Sequence, residues 1–380
     1  MGQILVINAG SSSIKFALFD DALVQTLSGN LAEIGGESRL GIMNDISDVT
    51  AADHATALGL ILDALEKRGV TPRQLVAAGH RVVHGGRDLI APSRVTPTIK
   101  AAIAACARLA PLHNPHNLAA IRALEAIAPS LPQVACFDTA FHATNPEVAR
   151  RYAIPAVEDA KGIRRYGFHG LSFASLIARL PGLSGAPLPR RLLALHLGNG
   201  ASLCAILAGQ SVATTMGFSP LDGLTMGTRA GAIDGNAVLR LATDHGIDGA
   251  SRILNRESGL LALGGASDMG RLSRSRAPEA RFAVQHFCYW AVRHAGSMIA
   301  AMGGVDAIAF TGGIGENAPD IRAAIMDGLG WAGVTADAAS NRLGAARLHT
   351  NGSGVAAWIV PATEERQIAA ETQSCLGSRR

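Results

Sequence analysis

Short apolar runs broken by glycine-rich turns recur along this chain. The first run, Ile4 to Ile7, is β-branched and apolar. Asn8-Ala-Gly-Ser-Ser-Ser13 interrupts it, and a second run extends from Ile14 to Phe19. This predicts a buried strand, a tight turn and a returning strand. Gly10 permits backbone angles that a side chain would forbid. The hydroxyls of Ser11, Ser12 and Ser13, the turn's backbone N–H groups and the Lys15 ammonium together suit an anion, most naturally phosphate. The stretch is not a P-loop, because no G-x-x-x-x-G-K-[ST] occurs and a strand follows the turn. Taken alone, it fits an anion cradle and an ordinary polar hairpin equally well.

The same layout returns in the second half. Leu192-Leu-Ala-Leu-His-Leu-Gly-Asn-Gly-Ala-Ser-Leu-Cys-Ala-Ile-Leu207 is again apolar strand, Asn/Gly/Ser turn, apolar strand. Two matched hairpins, one near the start of each half, imply a duplicated α/β domain with a cleft between the copies. Both turns facing that cleft would grip one polyphosphate from two sides.

Between and beyond the hairpins, periodicity changes. Thr50 to Lys67 has helical spacing and stops at Gly69. Val76 to Val83 reads as a strand entering the turn His84-Gly-Gly86, which places Arg81 and His84 near a strand end. Ile99 to Ala110 is a helix closed by Pro111. In Leu112-His-Asn-Pro-His-Asn117, Asn114 is the expected cap and Pro115 the first helical residue, of a helix running to Ile127. His113 and His116, three apart, could ligate a metal, but a capped loop with one histidine facing a cleft fits better.

Val134 to Asp138 is a short buried strand ending in a carboxylate, the place for a catalytic or metal-binding acid or for a simple turn cap. A connecting segment follows at Pro146 to Pro155, so the expected domains are residues 1–145, completed by a C-terminal helix 363–380, and 146–362. Arg164-Arg-Tyr-Gly-Phe-His169-Gly gathers two cations, two aromatics and a histidine between glycines. Met216 to Gly231 is glycine-punctuated and mostly uncharged until Arg229, as in a lining loop with one directed guanidinium. Glu279 to Met302 predicts a long buried helix. Ala307 to Asn317 is strand then glycine loop, with Asn317 expected to cap the helix through Ile325, a unit suited to a nucleotide. Thr363 is the expected cap of the closing helix. Glu364 and Glu365 either favour its N-terminus or reach into the cleft.

Composition narrows the class. The 380 residues are enough for two domains, and glycine, at 43, clusters after apolar runs rather than in a linker. A net charge of +4 without a basic block suits small anions and gives no reason to expect nucleic acid. The five cysteines are scattered without a C-x-x-C pair, so each is expected to be a small unpaired residue. With no signal-peptide pattern and no apolar run long enough to span a bilayer, a reduced cytoplasmic location without a membrane partner is expected.

Nine stretches together resemble the acetate kinase family, within the actin, Hsp70 and sugar-kinase superfamily. They are Asn8-Ala-Gly-Ser-Ser-Ser-Ile-Lys15, His80-Arg-Val-Val-His-Gly-Gly86, Pro111-Leu-His-Asn-Pro115, Phe137-Asp-Thr-Ala-Phe-His142, Arg165-Tyr-Gly-Phe-His-Gly170, His196-Leu-Gly-Asn-Gly200, Met216-Gly-Phe to Gly227-Thr-Arg229, Thr311-Gly-Gly-Ile-Gly-Glu-Asn317 and Glu364-Glu365. They span the chain in family order. The resemblance implies a duplicated ribonuclease H-like α/β fold of two domains with a central nucleotide cleft. It also implies reversible Mg²⁺-dependent (or Mn²⁺-dependent) phosphoryl transfer from ATP to acetate, giving acetyl phosphate and ADP, in a homodimer.

Residue roles follow from the same resemblance. Asn8 and Glu364 would help hold the metal, and Lys15 would lie near the nucleotide phosphates. Arg81 would bind the carboxylate, and Asp138 would be the essential acid. His169 and Arg229 would stabilise the transferring phosphoryl. His196, Leu197, Gly198, Asn199 and Gly200, then Asp268, Met269 and Gly270, then Gly313, Ile314, Gly315, Glu316 and Asn317 would contact the nucleotide. Val83, Leu112, Phe168 and Pro220 would form the acyl pocket, and valine at 83 favours acetate over propionate.

The chemistry agrees with that allocation. A carboxylate is already anionic, so the difficulty is bringing it against an anionic γ-phosphate, and cations aimed at the equatorial oxygens offset that repulsion. Asp138 is therefore read as positioning Mg²⁺ or its water rather than as an obligatory base. Departures from the family pattern are His116, Leu171, Phe173 and Gly270, where the family has arginine; Arg271 is the expected substitute. The competing readings are a propionate or butyrate kinase of the same fold and, in a different class, an actin- or Hsp70-like nucleotide switch.

Overall fold

The computed structural model describes residues 2–71 and 74–377. The chain divides into two compact units, one running to Phe141 and resuming at Thr363, the other from His142 to Ala362. Among the described residues, the first unit holds β1 (Gln3–Ala9), β2 (Ser13–Phe19), β3 (Gln25–Ala32), β4 (Arg39–Ile42), β5 (Asp45–Asp48), β6 (Leu75–Val82), β7 (Ser93–Arg94) and β8 (Gln133–Phe137). They form one sheet in the order β5-β4-β3-β2-β1-β6-β8-β7. The second unit holds β9 (Arg191–Leu197), β10 (Ala201–Leu207), β11 (Gln210–Thr214), β12 (Ala307–Thr311) and β13 (Ala356–Ile359), in the order β11-β10-β9-β12-β13.

The duplication expected from the two hairpins is present in both sheets. In each, three antiparallel strands are followed by two parallel ones: β3-β2-β1-β6-β8 matches β11-β10-β9-β12-β13. The central strands are buried on both faces, as parallel strands covered by helices require. Leu5, Val6 and Leu192 to Leu195 are fully buried, and β8 and β12 are buried along their whole length. The helix Glu364–Gly377 returns to the first unit, where Ile368 and Thr372 sit against Gly79 of β6. A Cβ at Gly79 would lie 2.3 Å from Thr372 Oγ1, so only glycine admits this helix. Residues 378–380 of the expected closing helix lie outside those described.

Helix ends differ from expectation by a few residues, for local reasons. The first helix is His54–Glu66, because Asp53 caps it by accepting from Thr56 N at 2.8 Å. The next begins at Pro97, capped by Thr96, and tightens into a 3₁₀ turn at Cys106–Arg108. The long helix of the second unit is Pro278–Met302. The cysteines are unpaired, and all but Cys375 are buried. No helix among the described residues is long and apolar enough to cross a membrane.

Two buried histidines set a pH dependence for this fold. Burial pushes the pKa values of His80 and His84 down from 6.5 to about 4. The unfolded chain therefore takes up two protons that the native chain refuses between those values, so stability falls as pH drops from 6.5 towards 4. Each group contributes up to about 3 kcal/mol of that loss. Urea midpoints measured from pH 7 to pH 4.5 check it. The expected result is a falling midpoint that becomes flatter in His80→Gln.

Candidate active site

The first unit brings Asn8, Arg81, Asp138 and Glu364 together where parallel strands end. β1, β6 and β8 lie side by side, with Arg81 opposite Cys136. Asp138 follows β8 directly, its N–H donating to Val82 O at 3.0 Å and its side chain 2% exposed. Arg81 Nε donates to Asp138 Oδ1 at 3.0 Å and to Oδ2 at 3.1 Å, and Nη2 to Oδ2 at 2.5 Å. Nη1 donates to Asn8 Oδ1 at 3.3 Å. Asp138 thus fixes the plane of the guanidinium, a forked geometry that lysine could not supply.

Charge in this cluster is uneven. Burial works against the Arg81 charge, but Asp138, Glu364 and Glu365 outweigh it and hold the guanidinium above its ordinary pKa. Burial pushes the half-buried Glu364 carboxyl up, assisted by Asp138 and Glu365 and opposed by Arg81 and Lys15. Carboxylates outnumber cations here. Lys15 is opposite Asn8 across the β1–β2 hairpin, whose turn closes with Gly10 N donating to Ser13 O at 2.8 Å.

The loop after β6 is held almost wholly by side chains. Val83 N donates to Asn117 Oδ1 at 3.1 Å, His84 N to Asn114 Oδ1 at 3.1 Å, Gly85 N to Thr139 Oγ1 at 3.0 Å and Gly86 N to His84 Nδ1 at 2.9 Å. Asn114 Nδ2 donates back to His84 O at 2.9 Å, and Asn117 Nδ2 to Ala9 O at 2.7 Å. Asn114 is therefore not a cap. The helix is Asn114–Ile127 with His113 in the cap position and no side-chain cap bond, because the Asn114 amide is used as a substitute strand for the loop. Of the turn's histidines, His116 stacks on His54 at 5.1 Å, and His54 Nε2 donates to Gly10 O at 2.7 Å. No group of three His, Cys, Asp or Glu able to hold a metal occurs among the described residues.

In the second unit, His169 takes a left-handed conformation (φ 59°) before the helix Gly170–Ser184. His142 supports this turn: its Nε2 donates to Phe168 O at 2.9 Å, and its ring fills the place a Cβ of Gly167 would need. The imidazoles of His169 and His196 stack at 4.1 Å. A Cβ at Gly200 would lie 3.3 Å from His169 Nε2 and 3.7 Å from Arg229 Nη1, while one at Gly198 would lie 3.9 Å from His196 Nε2 and 4.0 Å from Gly313 N. Glycine at 198 and 200 therefore leaves space beside the two imidazoles, Arg229 Nη1 and Gly313 N. Arg229 is steadied by Pro220 O, to which Nη1 donates at 3.1 Å. Asn199 lies against Gly227, whose N–H donates to Asn199 O at 2.9 Å.

The remaining nucleotide candidates are ordered by local bonds. Asp268 caps the helix Met269–Arg274 by accepting from Arg271 N at 2.7 Å, and the Met269 side chain is core, at 3% exposure. Beside Gly270 the nearest guanidinium is that of Arg274, 3.4 Å from where a Cβ would stand, not that of Arg271. The expected glycine loop after β12 is itself a helix, Gly312–Asn317, containing Ile314 and Gly315. Asn317 does not cap the following helix, Pro319–Gly328; its Nδ2 donates to Gly313 O at 3.0 Å. Glu316 Oε1 accepts from Gly312 N and Ala362 N, each at 2.9 Å.

Of the acyl-pocket candidates, Val83 and Leu112 lie in the first unit and Phe168 and Pro220 in the second. Val83 and Phe168 are buried, whereas Leu112 is 46% exposed. Arg164 and Arg165 are used structurally, pairing with Glu147 at 2.5 Å and Asp222 at 3.0 Å respectively. Sequence reasoning missed Asn117, Thr139, Ser172 and Ser202.

Residues 3–370 match the model of the acetokinase family. An acetate kinase of Rhodopseudomonas palustris is 43% identical over 96% of each chain, and one of Nitrobacter hamburgensis is 43% identical over 100% of this chain and 97% of its own. The crystal structure of Porphyromonas gingivalis acetate kinase superposes with a TM-score of 0.92 at 33% identity, covering 99% of this chain and all of its own. That of a Francisella tularensis propionate kinase gives 0.94 at 34% identity, covering 98% and 100%. Matched from end to end in both sequence and fold, the chain belongs to the acetokinase family.

Proposed function

We propose that this protein transfers the γ-phosphoryl group of ATP reversibly to acetate, giving acetyl phosphate and ADP. The observation that carries the reading is the Arg81–Asp138 pair, a guanidinium locked in plane by a buried carboxylate at adjacent strand ends. Arg81 receives the acceptor carboxylate through its Nη1 face, and Asp138 fixes its direction. Val83 limits the acyl chain on the first unit, with Leu112, Phe168 and Pro220 assigned to the same task. Lys15 meets the nucleotide phosphates. His169 and Arg229 stabilise the transferring group in the space beside Gly200, where neither has to reorganise as charge develops. The backbone of 196–200, 268–270 and 313–317 carries the nucleotide, close approach being possible where glycine stands.

Asn8 and Glu364 would hold Mg²⁺ (or Mn²⁺). Their oxygen donors suit a hard cation, and the excess of carboxylate over cation around the half-buried Glu364 fits a divalent ion. When bound, such an ion neutralises charge on the phosphate oxygens. The unpaired cysteines support a reduced cytoplasmic setting, and exposed Phe282, Tyr289 and Trp331 on the second unit support a homodimer.

Trapping acyl phosphate with hydroxylamine, with ATP, Mg²⁺ and each short carboxylate in turn, tests the reading. Acetate is expected to give the most hydroxamate. Propionate should follow within roughly 10–200-fold in kcat/KM, since one methylene is worth only about 1–3 kcal/mol in such a pocket. Hydroxamate from longer acids alone would replace acetate as the substrate. None from any acid would leave the nucleotide-switch reading standing.

A further inference from the structure

Each stacked imidazole of the second unit is held by a buried serine that neighbours the other imidazole. His169 Nδ1 is 2.9 Å from Ser202 Oγ, and Ser202 stands opposite His196 across the β9–β10 hairpin. His196 Nδ1 is 2.8 Å from Ser172 Oγ, and Ser172 lies one helical turn after His169. Ser202 is 0% exposed and Ser172 1%. Each serine's side chain has that imidazole as its hydrogen-bond partner. A buried hydroxyl that has one acceptor within reach donates to it, because leaving its proton unpaired costs the full desolvation penalty. Nδ1 is then the acceptor in both rings, and the ring proton belongs to Nε2.

Each Nε2 lies beside a glycine of the β9–β10 turn. His169 Nε2 is 3.3 Å from the Cβ position of Gly200, beside Arg229 Nη1, and His196 Nε2 is 3.9 Å from that of Gly198, beside Gly313 N. Two imidazolium rings stacked at 4.1 Å would repel one another as like charges, a penalty that neutral rings avoid.

We propose that Ser202 and Ser172 are positioning residues that hold His169 and His196 as neutral Nε2–H tautomers, so that the stacked pair presents two parallel donors to one phosphoryl group. His169 then does not act alone, and His196 contributes its side chain as well as its backbone. The proposal rests on the phosphoryl-transfer reading for the identity of the anion, but the tautomers are a property of the protein itself.

Long-range ¹H–¹⁵N correlation on ¹⁵N-histidine-labelled full-length protein tests it, with His169→Gln and His196→Gln assigning the signals. At neutral pH both rings are expected as Nε2–H, each Nε2 shifting when ATP is added without a carboxylate. Ser202→Ala should convert His169 to a tautomer mixture, and Ser172→Ala should do the same to His196. Each change should lower kcat roughly tenfold with the carboxylate KM unchanged, the double variant losing less than the product of the two. Nδ1–H tautomers or imidazolium rings in the unaltered protein would overturn the proposal, as would serine variants whose tautomers stay put. A chain that makes no acyl phosphate yet shows both Nε2–H rings would remove the phosphoryl reading and leave the tautomer assignment intact.

Discussion

Asp138→Asn is expected to lower kcat for acyl phosphate formation by about 10²–10³-fold. The carboxylate is buried and accepts three hydrogen bonds from Arg81. An amide of the same shape turns an NH₂ towards a guanidinium that can only donate, and Arg81 keeps its charge without its partner. Removing one member of a buried pair costs about 3–5 kcal/mol, equivalent to about 10²–10⁴-fold if all of the loss fell on the transition state. Part will fall on stability instead, so the thermal midpoint must be measured beside kcat. Arg81→Lys should fail similarly, because an ammonium cannot bond both carboxylate oxygens and reach Asn8 in one plane. Full activity with unchanged metal dependence in Asp138→Asn would show that the ion pair does not position the acceptor.

The largest stability effect is expected at Arg322. This guanidinium is 1% exposed with no carboxylate among its hydrogen-bond partners. Nε donates to Asn341 Oδ1 at 2.8 Å, Nη2 to Asn341 O at 2.7 Å, and Nη1 to Gly315 O at 3.0 Å and Glu316 O at 2.8 Å. It closes the C-terminal end of the helix Gly312–Asn317, whose last carbonyls have no partners within so short a helix. Arg322→Ala strands these acceptors and should cost about 3–5 kcal/mol, with the thermal midpoint falling by about 10 °C. Because the same helix carries the proposed nucleotide contacts 313–317, KM for ATP should rise while KM for acetate stays fixed. Calorimetry and paired titrations separate the two effects, and equal changes in both KM values would point to general loosening.

The duplicated fold was legible because its signal is local. Each hairpin is an apolar run, a glycine-bearing turn and a second apolar run, and the matching strand orders follow. Asp138 was legible as the polar end of a short buried strand. The misreadings share one cause: a side chain that normally serves its own neighbourhood was claimed by a distant partner. Asn114 has the sequence signature of a cap, but its amide pairs with His84, thirty residues earlier. The glycine stretch after β12 reads as a loop, yet Glu316 and Arg322 satisfy its backbone and make it helical. Ser172 and Ser202 carry no signal of their own, since serine near a turn is common; only their placement against two imidazoles distinguishes them. Gly270 could not reveal which arginine stands beside it, because that depends on how the helix Met269–Arg274 winds.

The most direct test is the reverse reaction, with ATP formed from ADP and acetyl phosphate read by luciferase luminescence. Direct reversible transfer predicts ATP formation that requires Mg²⁺ or Mn²⁺, is nearly lost in Asp138→Asn, and proceeds with no other phosphoryl donor present. If the purified, folded protein makes no ATP from acetyl phosphate and ADP with either metal, the phosphoryl-transfer account is wrong.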